Sequence, residues 1–328
     1  MEQYYNTTEL PAVQRIARRS ENWFRKHQRE LPWRRTYDPY HVWVSEVMLQ
    51  QTQMPVVLRF YERFIGRFPT IDDLASASFD DVAAAWSGLG YYRRARMLRD
   101  CAIAVRERFG GTLPSDLQSL MSLPGIGRYT AGAIASIAFE RHAPIVDGNI
   151  ARILARLFGV KSMRTTWDRA EKLVEATRSP RVFNQAMMEI GALICRPKNP
   201  LCNQCPLRRE CRAFARGRTQ LAPRKRAKTR EVKIALYIVT DRRGRILMRR
   251  ESGSLFDGMF VLPQGIRRGR VVGCVRHRIT NRRITFVVYR SANGQRRMAN
   301  EEWIDPKNLE NIPHPAYVRK ALQIAGIR

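Results

Sequence analysis

The chain has 328 residues, with 59 Lys and Arg against 29 Asp and Glu, a formal net charge of +30. Hydrophobic residues make up 44%, enough for real cores, so a disordered basic tail is excluded; no apolar stretch approaches the ~20 residues that cross a bilayer. The opening Met1-Glu2-Gln3-Tyr4-Tyr5 has neither a basic nor an apolar leader segment, so secretion is not expected and the six cysteines are read in a reducing compartment.

In chain order, residues 11–215 read as mostly helical. Pro39 to Phe64, Asp72–Ser87, Tyr92–Phe109 and Trp167–Thr177 carry apolar residues at helical spacing. Asp116 to Met121, the Leu123-Pro124-Gly125-Ile126-Gly127 turn and Arg128 to Phe139 read as helix, tight turn, helix, and a further helix is expected over Gly148–Phe158. Residues 218–231 are polar and basic and read as a linker. Beyond them, Val232–Thr240, Ile246–Arg249, Met259–Leu262 and Ile284–Tyr289 read as strands, with a turn at Asp241–Gly244 and a closing helix over Pro315 to Ile324. The length suits two domains, here an all-α one followed by a smaller α+β one. Residues 218–328 carry 26 Lys/Arg against 8 Asp/Glu and are the more basic part. Such a charge points to nucleic acid, because cations that neutralise phosphates gain affinity through counterion release.

Two motifs carry chemistry on their own. Cys195, Cys202, Cys205 and Cys211 follow a C-x6-C-x2-C-x5-C spacing, and four thiolates this close can converge on one metal centre, iron–sulfur or zinc. Cys101 and Cys274 stand apart and read as ordinary packed residues. In the second motif, Gly125 and Gly127 would let backbone approach a phosphate, though the turn would serve equally to connect two packed helices.

These features resemble the helix-hairpin-helix DNA glycosylases, and among them the MutY-type adenine DNA glycosylases. The matching residues are Leu31-Pro32-Trp33-Arg34, Trp43 to Gln53 (WVSEVMLQQTQ), Gly88-Leu89-Gly90-Tyr91-Tyr92, Gly127 to Gly132 and Val146-Asp147-Gly148-Asn149. The resemblance covers nearly the whole chain. It implies a helical catalytic domain over 1–217 whose cysteine loop holds a [4Fe–4S] cluster, a basic linker over 218–231, and a smaller Nudix-like (MutT-like) domain over 232–328. It implies a monofunctional glycosylase that removes adenine opposite 8-oxoguanine or guanine from double-stranded DNA. Such an enzyme would be a monomer of the cytoplasm or nucleoid, with no membrane partner. The competing readings are a mismatch glycosylase for thymine or uracil opposite guanine, and a non-catalytic protein that binds damaged DNA.

Loss of adenine needs a proton on the departing base and a stabilised sugar cation, tasks for two carboxylates. Glu46, among Val44, Val47, Met48 and Leu49, would be buried and kept acidic near neutral pH. Asp147 follows Pro144-Ile145-Val146 and would stabilise the cation as a buried, hydrogen-bonded carboxylate while also capping the next helix. The resemblance sets Tyr129 where strand-cutting relatives have a nucleophilic lysine, and has it support Asp147 beside Asn149. It assigns Arg34, Gln51, Thr52, Leu89, Tyr91, Gly125 and Gly127 to DNA contact, with Gln51 and Tyr91 as wedges. In the C-terminal domain, Gly258 to Pro263 and Glu302-Trp303-Ile304 match the Nudix-like fold, but the carboxylate array that binds Mg²⁺ for nucleotide hydrolysis is missing, so binding without cutting is expected. The family's Phe-Ser-His triplet is replaced by Ile279-Thr280-Asn281. Thr280 and Asn281 would still read the opposing base by hydrogen bonds, with a weakened preference for 8-oxoguanine over guanine.

Overall fold

Side-chain caps set six of the helix starts. A computed structural model describes residues 9–220, 229–252, 256–265, 269–279, 282–291 and 300–327. Its helices before residue 220 are α1 (Glu9–His27), α2 (Pro39–Leu49), α3 (Met54–Arg67), α4 (Ile71–Ser76), α5 (Phe79–Ala85), α6 (Arg93–Phe109), α7 (Leu117–Met121), α8 (Arg128–Ala133), α9 (Gly148–Phe158), α10 (Met163–Glu175), α11 (Pro180–Glu189) and α12 (Arg212–Ala215). Asp38, Ser78, Asp116, Asp147, Ser162 and Ser179 each accept a backbone N–H at the start of α2, α5, α7, α9, α10 and α11, satisfying donors that a first turn leaves open. Gly159, left-handed at φ +75°, ends α9. None of the helices among the described residues is long and apolar enough to cross a membrane.

The chain forms two compact units: Met1–Ile65, Thr70–Asp72 and Cys101–Pro223 in the first; Gly66–Pro69, Asp73–Asp100 and Arg224–Arg328 in the second. The first has a core in which Val42 of α2, Ile145, Ile150, Ile153 and Leu154 around α9, and Phe183 and Met187 of α11 pack together. Three segments expected as single helices are interrupted. Pro39 to Phe64 breaks at Gln50–Gln53, where Gln51 is left-handed at φ +57°. Arg128 to Phe139 passes from α8 into a π-helical turn, Ile134–Ala138, and a second π turn, Ile190–Ile194, follows α11. Asp72–Ser87 likewise divides into α4 and α5. Hydropathy does not register these breaks, because the apolar spacing runs on through them.

The second unit contains β1 (Arg230–Val239), β2 (Ile246–Arg250), β3 (Phe260–Val261), β4 (Arg270–Ile279), β5 (Arg282–Ser291), β6 (Glu301–Ile304) and α13 (Ala316–Ile324). One sheet has the order β1-β5-β4, with β1 parallel and β4 antiparallel to β5; the other has the order β3-β2-β6. Along β5, Ile284, Phe286 and Val288 point inward and join Leu236 and Ile238 of β1 beneath Tyr317, Val318 and Ala321 of α13. The residues of α5 and early α6 belong to the same unit: Tyr92 donates to the His314 carbonyl at 3.1 Å, and Arg96 pairs with Asp257 at 3.3 Å. β4 is not apparent from the sequence, because its alternation is interrupted by an irregularity at Val271/Gly273 and a polar residue, His277, takes an inward position against Tyr317. Cys274, expected as a packed residue, lies on the outer face of β4 and is exposed, whereas Cys101 is buried.

Candidate functional site

The buried face of α2 positions the first carboxylate. Val42, Trp43, Val44, Val47 and Met48 are all buried, and Glu46 is buried with them at 4% exposure. The Tyr129 hydroxyl, carried on the first turn of α8, donates to Glu46 Oε2 at 3.0 Å. Burial holds the Glu46 carboxyl up at about 7; the Tyr129 hydrogen bond opposes this, the charge of Asp147 adds to it, and the Arg34 guanidinium opposes it. Near neutral pH this carboxyl can therefore both hold and release a proton. Burial, with Glu46 and Asp147 close by, pushes the Tyr129 hydroxyl well above its usual range, so it stays a donor. Tyr129 is thus placed differently from the expected arrangement, in which it supports Asp147 alongside Asn149: its hydroxyl bonds Glu46, 83 residues away in sequence.

Asp147 stands at the start of α9, half-buried. Its Oδ1 accepts from the backbone N–H groups of Asn149 (2.9 Å) and Ile150 (2.7 Å), and its Oδ2 accepts from Asn149 Nδ2 at 3.1 Å. Donors and the helix dipole thus complement a negative charge on this group. Asn149 is held in turn: Arg152 Nη2 donates to its Oδ1 at 2.8 Å and to the Gly191 carbonyl at 2.8 Å, while Arg152 Nε donates to the Cys195 carbonyl at 2.7 Å. The sequence reading missed Arg152, although its i+3 spacing from Asn149 on α9 was the available signal. Two glycines permit the close packing here. A Cβ on Gly191 would stand 2.7 Å from Asn149 Cβ, and one on Gly132 would stand 2.3 Å from the Pro144 carbonyl oxygen.

The residues expected at DNA are distributed unevenly. In the hairpin, Leu123 and Ile126 are buried anchors and Gly125 is left-handed at φ +75°. Gly127 caps α8 without a side chain, and a Cβ there would meet nothing within 4 Å. Gln51 is exposed and Thr52 half-buried, its hydroxyl 3.4 Å from the Gln50 carbonyl. Tyr91 is 40% exposed and left-handed at φ +50°, whereas its neighbour Tyr92 is buried. Two expectations need correcting. Leu89 is 5% exposed and packs inward, because the turn directs Tyr91 outward in its place. Arg34 does not extend into solvent: its Nη1 donates to Glu189 Oε1 at 2.8 Å and to the Arg29 carbonyl at 2.9 Å, since a buried carboxylate needs cationic donors. Thr280 and Asn281 lie outside the described residues.

All four cysteines are half-buried: Cys195 ends the second π turn, Cys202 opens the 3-10 turn Cys202–Gln204 that Cys205 ends, and Cys211 stands between the 3-10 turn Arg208–Glu210 and α12. Burial, and to a lesser degree the charges of Cys195, Cys211 and Cys202, push the Cys205 thiol up to about 12, against a backbone hydrogen bond at Leu207. The Cys202 and Cys211 thiols are likewise raised by burial and by neighbouring sulfurs, and such a crowded set of sulfur donors is one that a soft cation would relieve. The buried Arg156 donates to Cys195 Sγ at 3.1 Å and to the Arg196 carbonyl at 2.8 Å, supplying positive charge beside the sulfur. Among the described residues, no three His, Cys, Asp or Glu side chains are already drawn together as a metal-ligand group.

Residues 44–179 match the family model of the HhH-GPD superfamily base excision DNA repair proteins. The adenine DNA glycosylase of Rattus norvegicus is 44% identical over 239 residues, covering 67% of this chain and 46% of the rat protein. That of Buchnera aphidicola subsp. Baizongia pistaciae is 36% identical over 263 residues, covering 77% of this chain and 75% of its own. The chain spans less than half the length of the mammalian relatives it matches. Among solved structures, a thermostable thymine-DNA glycosylase superposes with a TM-score of 0.59 at 28% identity, over 63% of this chain and 98% of its own.

Proposed function

The chain belongs to the adenine DNA glycosylase family of the HhH-GPD superfamily, and from that premise we propose that it hydrolyses the N-glycosidic bond of adenine mispaired in double-stranded DNA. The observation that carries this reading is the pair of carboxyls: Glu46 buried and still protonated near neutral pH, and Asp147 fixed by three N–H donors at the start of α9. Glu46 gives its proton to the departing adenine as the bond from the sugar carbon to the base nitrogen breaks. Asp147 faces the sugar cation so produced, and water adds its hydroxide to that carbon while its remaining proton returns to Glu46. Tyr129 has no amine with which to form an imine, so the strand stays intact.

Cys195, Cys202, Cys205 and Cys211 would hold a [4Fe–4S] cluster, with Arg156 beside Cys195. When bound, the cluster supplies a compact metal–thiolate body for the loop to fold around. Residues 1–217 would carry the chemistry. Residues 232–328, a Nudix-like domain joined by the 218–231 linker, would read 8-oxoguanine or guanine opposite the adenine. Replacement of the family triplet by Ile279-Thr280-Asn281 favours a weak preference between those two bases.

Single-turnover excision on duplexes with A opposite 8-oxoguanine, A opposite G and T opposite G tests the reading. Loss of adenine from the first two, with strands cut only after alkali, is expected. A second reading, as a thymine mismatch glycosylase, rests on the 28% identity to that solved enzyme. Release of thymine and not adenine would overturn the first reading in its favour.

A further inference from the structure

The turn joining α5 to α6 carries left-handed backbone at Gly88 (φ +102°), Gly90 (φ +73°) and Tyr91 (φ +50°). Glycine adopts such angles freely; a tyrosine does so only where its surroundings hold it. Those surroundings centre on Arg94, in the first turn of α6, whose residue is 8% exposed. Its Nη2 donates to the Gly90 carbonyl at 3.1 Å and is 3.4 Å from the Leu89 carbonyl, and its backbone N–H donates to the Tyr91 carbonyl at 2.9 Å. The Trp86 indole donates to the same Gly90 carbonyl at 3.0 Å. The guanidinium carbon lies 5.3 Å from the Trp86 ring centre and 5.5 Å from that of Tyr91, within cation–π reach of both. Burial lowers the Arg94 pKa to about 10, so the group keeps its charge at neutral pH in spite of its desolvation. A largely buried cation thus grips the backbone on either side of Gly90 and the face of an exposed aromatic ring.

We infer that Arg94 is a positioning residue that holds the Tyr91 ring in its outward pose before DNA arrives, so that the ring enters the base stack without first rearranging. The inference rests on the reading of Tyr91 as a wedge in a DNA glycosylase. Arg94 suits this task better than lysine would, because Nη2 reaches both carbonyls in the plane of the guanidinium while the flat face of the group remains open to the rings. Its removal should leave non-specific affinity for duplex unchanged and impair only the step in which Tyr91 displaces a base.

The test is a double-mutant cycle in the full-length protein with R94K, R94Q, Y91A and the two double variants. Thermal midpoints establish folding, and binding to undamaged duplex reports non-specific affinity. A 2-aminopurine beside the mispair reports unstacking. R94K should lower unstacking and single-turnover excision by about tenfold, the scale of one lost hydrogen bond. R94Q should do the same, and neither change should lower the activity of Y91A further. Full 2-aminopurine brightening in R94K and R94Q, or losses that simply add to that of Y91A, would overturn the inference. Unstacking and excision are separate readouts: a wild type that brightens the probe but releases no base defeats the glycosylase reading, while the coupling of Arg94 to Tyr91 is still measured by fluorescence.

Discussion

Glu46 and Asp147 are both carboxyls carried on helices, and the two helices treat them in opposite ways. Glu46 lies inside α2, where the backbone groups of a helix are already paired; apolar side chains bury it, one phenol bonds it, and the charges of Asp147 and Arg34 act on it more weakly. Asp147 lies at the start of α9, where two open backbone N–H groups of the first turn bond its Oδ1 and the Asn149 side-chain amide bonds its Oδ2. Position along a helix therefore divides the two roles: the interior keeps a proton on one acid, and the start supports a charge on the other.

Removing the proton donor should break this division most severely. Glu46→Gln is expected to keep the fold and DNA binding while slowing single-turnover excision by about 10²–10⁴-fold, the scale of general acid catalysis. Asp147→Asn keeps one acceptor oxygen for the backbone N–H groups of Asn149 and Ile150 but loses the acceptor facing Asn149 Nδ2 and the countercharge, and a loss of about 10²–10³-fold is expected in the same assay. Near-wild-type rates in either variant would show that the carboxyl has no catalytic role.

The Glu46 proton can also be followed through stability. The folded protein holds it up to pH of about 7, whereas the unfolded chain releases it near 4.5, so stability falls as pH rises through that window. The expected loss is about 3 kcal/mol in all, at 1.36 kcal/mol per pKa unit. Urea unfolding of wild type and Glu46→Gln at pH 5 and pH 8 measures it: the difference between the two proteins should grow with pH, in favour of the glutamine variant.

Tyr129→Phe gives the smallest effect and the sharpest comparison. Its hydroxyl stabilises ionised Glu46, so its loss should move the alkaline fall in excision rate to higher pH, while the rate on the acid plateau changes by less than about tenfold. A pH profile that shifts the other way would mean that Tyr129 does not act through Glu46.

Much of this division could be read in advance. The apolar neighbours of Glu46 announced its burial, and Asp147 before Gly148, with Gly159 beyond Phe158, marked both ends of α9. Partners distant in sequence could not be read. The Tyr129–Glu46 bond spans 83 residues and the Arg34–Glu189 bond 155, and no local period encodes either. Nor did hydropathy reveal the breaks in α2–α3 and after α8, since each keeps its apolar face through a local change of backbone. For Leu89 and Tyr91, residue types alone left open which would face outward; the left-handed turn decides it.

Gly132 has a consequence for how the molecule tolerates change. Its missing side chain lets α8 rest directly on the Pro144 carbonyl, three residues before Asp147. One methyl group there would have to open a gap between the element that carries Tyr129 and the segment that delivers Asp147. Misplacement of a reacting group by as little as about 1 Å can lower a rate some hundredfold. A Gly132→Ala substitution, remote from any reacting atom and nearly silent in composition, should therefore act as a lesion of alignment. Its phenotype would be that of an inactive but folded protein, easily mistaken for the loss of a catalytic group.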